Sequence, residues 1–166
     1  MTTQRRAATI GVYGWAFDDW LGALRAARAT QVLDIRQRRG VRGSRYAWAN
    51  SARLQAVLAE AGIEYRHRKE LAPTTELRHL QYREDDRLGV GKRSRVELAV
   101  EYRQRYLREI LGRVTLRPIV EAMPFDGTAA LMCVEADPEA CHRSLVAERL
   151  QAEFGLPVWH LLPPPD

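Results

Sequence analysis

The 166-residue sequence has no apolar run approaching 18 residues, so no segment reads as a membrane-spanning helix. Its opening, Met1-Thr-Thr-Gln-Arg-Arg, leads into a patterned strand and lacks the apolar core of a secretory signal. Cysteine occurs only twice, at Cys133 and Cys141, which is too sparse for a disulfide framework and reads as a pair of reduced thiols. Glycine patterns of the P-loop or dinucleotide type are missing despite Gly11 and Gly14, as are internal repeats and low-complexity stretches. These absences set the expectation of one cytoplasmic α/β domain over residues 1–166, with no membrane partner and no cofactor implied. At 46% hydrophobic composition, a chain of this size buries a sufficient core without staples.

What is abundant is arginine. The net charge of +5 conceals an asymmetry, because residues 36–117 carry 20 of the 26 Lys and Arg but only 10 of the 21 Asp and Glu. Clusters such as Arg36-Gln-Arg38-Arg39, Arg42 to Arg45, Arg66-His67-Arg68-Lys69 and Gly91-Lys92-Arg93-Ser-Arg95 create a positive potential suited to phosphates or other anions. A solvated charged surface, produced by an arginine-rich composition, is the competing reading.

Apolar strands alternate with capped helices along the chain. Residues 8–13, 31–35, 63–65, 129–134 and 157–162 read as strands, with helices from Asp18, from Asn50 to Gly62, and over 115–123. Ser94-Arg-Val-Glu97 has the spacing of a capping box and predicts a long helix to Leu111, with Val96, Val100 and Leu107 on its apolar stripe. Residues 69–93 show no strand and only a short helix over 76–83, which makes them a candidate lid or binding loop. The alternation predicts a three-layer sandwich with a mainly parallel sheet of about five strands.

The chemistry-bearing residues gather at the end of the fourth strand, in Cys133-Val-Glu135-Ala-Asp137-Pro138-Glu139-Ala-Cys141-His142-Arg143. Asp137 reads as an N-cap and Pro138 as the first helical position, which places this segment at a C-terminal sheet edge where ligands bind. Glu135 is a candidate general base, or else a loop carboxylate paired with an arginine. His142 is an acid/base candidate if a carboxylate such as Glu135 or Asp34 holds it, and otherwise a packing residue. Cys133 reads as core filler and Cys141 as a helix-start thiol capable of nucleophilic or sulfur-carrier chemistry. Adjacent positions on a helix diverge by about 100°, so Cys141 and His142 are not expected to share a metal. Tyr46 and Trp48 either stack on bases or anchor the basic loop to the core.

Thr9-Ile10-Gly11, Asp34-Ile35-Arg36, Ser44-Arg45, Cys133-x-Glu135 and Cys141-His142-Arg143 together resemble the bacterial family catalogued as domain of unknown function 488. The resemblance implies a compact α/β domain in which these residues converge on one site, and it carries no established reaction. Many relatives follow the first glycine with His-Ser, where this chain has Val12-Tyr13. The leading expectation is an enzyme acting on a phosphorylated small molecule, a nucleotide-like compound or a nucleic acid. In it, Arg36, Arg45 and Arg143 bind anionic oxygens, and Glu135 or His142 moves a proton with Asp34 nearby. A non-catalytic nucleic-acid-binding module and thiol or sulfur-transfer chemistry at Cys141 are the alternatives.

Overall fold

The computed structural model describes residues 4–165. Five strands, β1 (Arg6–Ile10), β2 (Ala29–Asp34), β3 (Glu64–His67), β4 (Thr128–Met132) and β5 (Val158–Leu161), form one sheet in the order β3-β2-β4-β1-β5, with every pairing parallel. All five residues of β4 are buried although successive side chains point to opposite faces, so both faces of the centre of the sheet are covered. This is the α/β sandwich the alternation predicts. The helices α1 (Phe17–Ala26), α2 (Ser51–Glu60) and α6 (Arg143–Phe154) pack on β2, β3 and the β1/β5 pair respectively. No helix among the described residues is long and apolar enough to cross a membrane.

Two sequence expectations are corrected here. The segment 69–93 is mostly the 14-residue helix α3 (Thr75–Leu88), capped by the Thr74 hydroxyl accepting from Leu77 N and ended by Gly89 in the left-handed region. The long helix expected from Ser94 begins only at Val100, because the Ser94 hydroxyl accepts from Gly91 N and closes a turn instead of capping a helix. That helix, α4 (Val100–Tyr106), runs on through a π-helical turn at Leu107–Leu111. Its buried side is Tyr102, Tyr106 and Ile110, while Val96 and Val100 are 67% and 70% exposed. The short helix α5 (Arg117–Glu121) precedes β4.

Tyr46 and Trp48 are buried; the Tyr46 hydroxyl accepts from Gly14 N, and Trp48 packs on Trp20, so both anchor the basic loop to the core. On the edge strand, His160 Nδ1 lies 2.6 Å from the Thr9 hydroxyl. Partial burial of the ring, and then the nearby Arg143 charge, lower the His160 pKa below its ordinary 6.5. A base whose pKa falls on folding contributes stability that is present above the unfolded pKa and lost as pH drops through it. Between pH 7.5 and 5.5 the wild-type chain is therefore expected to lose more stability, or gain less, than His160→Gln. Denaturant midpoints at pH 7.5 and 5.5 test this; an equal acid-induced change in both proteins would refute it.

Candidate functional site

Strands β1, β4 and β2 deliver their C-terminal ends side by side, and the chain beyond each end builds the site. Past β1, Val12 N and Tyr13 N both donate to Val134 O at 2.9 Å, which stitches the first loop to the Cys133–Glu135 segment. Past β2, Arg36 returns to Asp34 through Nε and Nη2, both at 2.9 Å, and donates from Nη1 to Ala49 O. Asp34 also accepts from the Tyr65 hydroxyl at 2.5 Å. Asp34 and Arg36 are 0% and 2% exposed, so this pair locks the basic loop to the sheet. Its carboxylate and guanidinium are engaged with each other, which gives the pair a bracing role, although Arg36 also lines the narrow cavity described below.

Arg143 is likewise buried. It donates to Glu135 O at 2.6 Å, to Ala136 O at 3.1 Å and to the Thr9 hydroxyl at 3.4 Å, clamping the turn after β4 instead of facing a ligand. Gly11 makes that clamp possible, since a Cβ there would collide with the Glu135 carbonyl and crowd Arg143. Arg45 is exposed, lies over the Tyr46 ring at 5.0 Å, and does not line the cavity described below.

The turn itself departs from expectation. Asp137 caps a single 3-10 turn at Pro138–Ala140, with Oδ1 accepting from Glu139 N at 2.9 Å, and α6 starts two residues after Cys141. Cys141 is extended, at φ −140° and ψ 148°. Consecutive side chains on extended backbone are not bound to the helical divergence, and those of Cys141 and His142 meet. His142 Nδ1 lies 3.8 Å from Cys141 Sγ and 3.8 Å from Cys133 Sγ, while Nε2 is 2.9 Å from Ile35 O. A carbonyl only accepts, so Nε2 carries a proton and Nδ1 faces the two sulfurs; burial lowers the His142 pKa, but the neighbouring Cys141 outweighs it and raises that pKa above its ordinary value. The ring packs on Tyr106, whose hydroxyl donates to Leu71 O at 2.6 Å. Both cysteines are free and buried.

Glu135 completes the group. Its Oε2 lies 3.6 Å from Cys133 Sγ, and its Oε1 accepts from Arg95 Nη1 at 3.3 Å. Arg95 also grips Asp85 through Nε and Nη2 and donates to Ala140 O at 2.9 Å, tying α3 to the turn. Burial raises the Glu135 pKa, the neighbouring Cys141 adds to the rise, and Lys92 and Arg95 oppose it without cancelling it. Burial pushes the Cys133 thiol well up. It pushes Cys141 up too, but the Cys133 hydrogen bond and the His142 and Arg143 charges outweigh it and hold that thiol well below its usual value.

Glu135, Cys133, Cys141 and His142 line a narrow cavity of about 50 Å³, room for a few atoms. It opens into a vestibule of about 650 Å³ through the shared lining of Arg38, Arg78, Tyr82, Lys92 and Val134. Tyr13, Arg42 and Arg93 line the outer part. Among the described residues, Arg38, Arg42, Arg78, Lys92 and Arg93 have no carboxylate within 4.0 Å. Sequence reading named Glu135, His142 and Cys141, and Lys92 and Arg95 within a basic cluster, but not Asp85, Arg78 or Tyr82. The signal for Asp85, Arg78 and Tyr82 was the designation of 69–93 as a candidate lid or binding loop.

An α/β domain whose cysteine, histidine and carboxylate side chains meet at the C-terminal edge of a parallel sheet is the class this geometry defines. The chain belongs to the family described as Domain of unknown function DUF488, whose model matches residues 16–150. A search of curated proteins and of solved structures finds no match.

Proposed function

We propose that the chain is an enzyme acting on a compact phosphorylated or nucleotide-like anion by general acid/base catalysis. The observation that carries this reading is the five cations without carboxylate partners around a vestibule whose floor opens onto Glu135, the two thiols and His142. Lys92 is half-buried there, and a partly desolvated ammonium favours an anionic ligand. In this reading Arg38, Arg78 and Lys92 hold anionic oxygens, the Tyr13 and Tyr82 rings back Arg93 and Arg78, and Glu135 moves the proton. A nucleic-acid-binding module is less well supported, because it needs a broad basic surface and gives the enclosed carboxylate and thiols no part. Sulfur transfer at Cys141 needs an accessible thiol, and this one is 1% exposed.

Calorimetric titration with pyrophosphate, nucleoside mono- and diphosphates and a single-stranded oligonucleotide tests the reading. A compact phosphate ligand is expected to bind one per chain, and Arg78→Ala with Lys92→Ala to weaken it by roughly 1.5–3 kcal/mol per lost contact. Unchanged affinity in that double variant would refute the site. Binding of the oligonucleotide alone would transfer the chain to the binding-module class.

A further inference from the structure

The buried thiols and imidazole have a geometric relationship that the anion reading does not use. We propose that Cys133, Cys141 and His142 hold a metal ion of the zinc class, with a fourth position open to the narrow cavity beside Glu135. This reverses the expectation from sequence, whose premise was that Cys141 and His142 stand on one helix.

The three ligand atoms, Sγ of Cys133, Sγ of Cys141 and Nδ1 of His142, all lie within 4.8 Å of one another. Tetrahedral zinc with Zn–S of about 2.3 Å and Zn–N of about 2.0–2.1 Å places sulfur and nitrogen about 3.5 Å apart. Both sulfur–nitrogen separations are 3.8 Å here, a few tenths of an ångström too long, and the two sulfurs, within 4.8 Å of each other, need close by at most about 1 Å to reach the roughly 3.8 Å of tetrahedral zinc. The histidine is oriented as a ligand is: its Nε2–H donates to the Ile35 carbonyl, which turns Nδ1 toward the sulfurs, and any proton on Nδ1 is released when a metal binds. The ligands also stand on braced backbone. Cys133 N donates to Ile10 O, Cys141 N donates to Pro138 O, and Arg143 ties the turn between them to Thr9.

Two sulfurs and one nitrogen are three ligands. Glu135 is outside the mutual cluster, and its Oε1 is held by Arg95, which leaves the fourth position to solvent or substrate. Three protein ligands with an open position mark a catalytic site, whereas structural zinc is closed by four. Two thiolates with a neutral imidazole balance a divalent charge in a buried place, and thiolate ligands favour zinc over magnesium or calcium. A water on the open position would sit next to a carboxylate that is not itself a ligand, the division of labour found in zinc deaminases on a different fold. The water would pass a proton to Glu135, the resulting hydroxide would bond to the electrophilic atom of the substrate, and the leaving group would depart with that proton. No oxidant or reductant is needed, and hydrolysis is the reaction class. The hydrolytic step rests on the anion-substrate reading; the metal site stands without it.

The test uses the full chain. Elemental analysis of the purified protein, then chelation and titration with Co2+, is expected to give one metal per chain, an intense near-ultraviolet thiolate-to-cobalt band and tetrahedral visible bands that Zn2+ abolishes. Wild-type protein that takes up neither Co2+ nor Zn2+, or binds Co2+ with no thiolate band, overturns the site without recourse to any variant. Cys141→Ser and His142→Gln are expected to weaken zinc binding at least about 100-fold. Glu135→Gln is expected to leave the cobalt spectrum and stoichiometry unchanged, and metal loss in that variant would refute the open position. Arg78→Ala with Lys92→Ala should retain the metal while losing phosphate ligands. Metal without anion binding therefore sinks the proposed function alone, and anion binding without metal sinks this inference alone.

Discussion

Asp34→Ala is expected to destabilise the fold by about 3–5 kcal/mol, the usual cost of leaving one member of a buried ion pair unpaired. Arg36 has two nitrogens at 2.9 Å from that carboxylate and is 2% exposed, so without Asp34 its charge has neither a partner nor water. Tyr65 loses its acceptor in the same variant. The double replacement Asp34→Leu with Arg36→Met removes both charges, fills similar volume, and is expected to be less destabilised than Asp34→Ala alone. Denaturant unfolding at constant m-value measures both. A near-neutral Asp34→Ala that abolished phosphate binding would instead return the pair to the ligand site, as sequence reading had it.

The second large effect is expected at Gly11. An added Cβ meets the Glu135 carbonyl oxygen, and its neighbours at 2.9 and 3.3 Å are the Glu135 carbonyl carbon and Arg143 Nη2. All of these are braced: the carbonyl accepts from Arg143, and the preceding residue accepts from Val12 and Tyr13. Gly11→Ala must therefore push the turn away from β1. A stability loss of about 1–3 kcal/mol follows from overpacking. Glu135 is also displaced, and a misplacement of about 1 Å at a reacting group can lower turnover roughly 100-fold. Retained stability with full metal and ligand binding would show that the turn accommodates a methyl group, contrary to this argument.

The sheet was legible because its strands are short, apolar and punctuated: the order of elements, the parallel class and the placing of Glu135, Cys141 and His142 at a strand end all follow from local pattern. Helix α3 was read too short because its buried positions are Leu77, Leu80, Gln81 and Asp85, two of them polar, so an apolar stripe does not announce them. Gln81 and Asp85 are inside because they meet Ala99 N and Arg95, partners that local pattern does not supply. The false capping box had the same origin, since the Ser94 hydroxyl is used in a turn that Arg95 anchors. Arg36 and Arg143 looked like anion binders because arginine next to a strand end is common to ligand sites and to buried carbonyl clamps. Only tertiary packing separates the two uses. Cys141 was assigned to a helix from Asp137 and Pro138, which do begin a helical turn; it ends after one turn, and the thiols and imidazole converge for that reason.

The position of β4, fourth in the chain and central in the sheet, has a consequence during synthesis. β1 and β2 do not pair with each other; each pairs with β4, more than ninety residues further along the sequence than β2. A ribosome-bound chain that has emerged through α5 therefore holds two apolar strand edges with no neighbour between them. Such unpaired edges are sticky, and pairings this distant in sequence form slowly because a long loop must close first. The sheet closes only when residues 128–132 insert. The same event brings Cys133 and Glu135 to the ends of β1 and β2, so the reactive cluster cannot assemble before the centre of the sheet does.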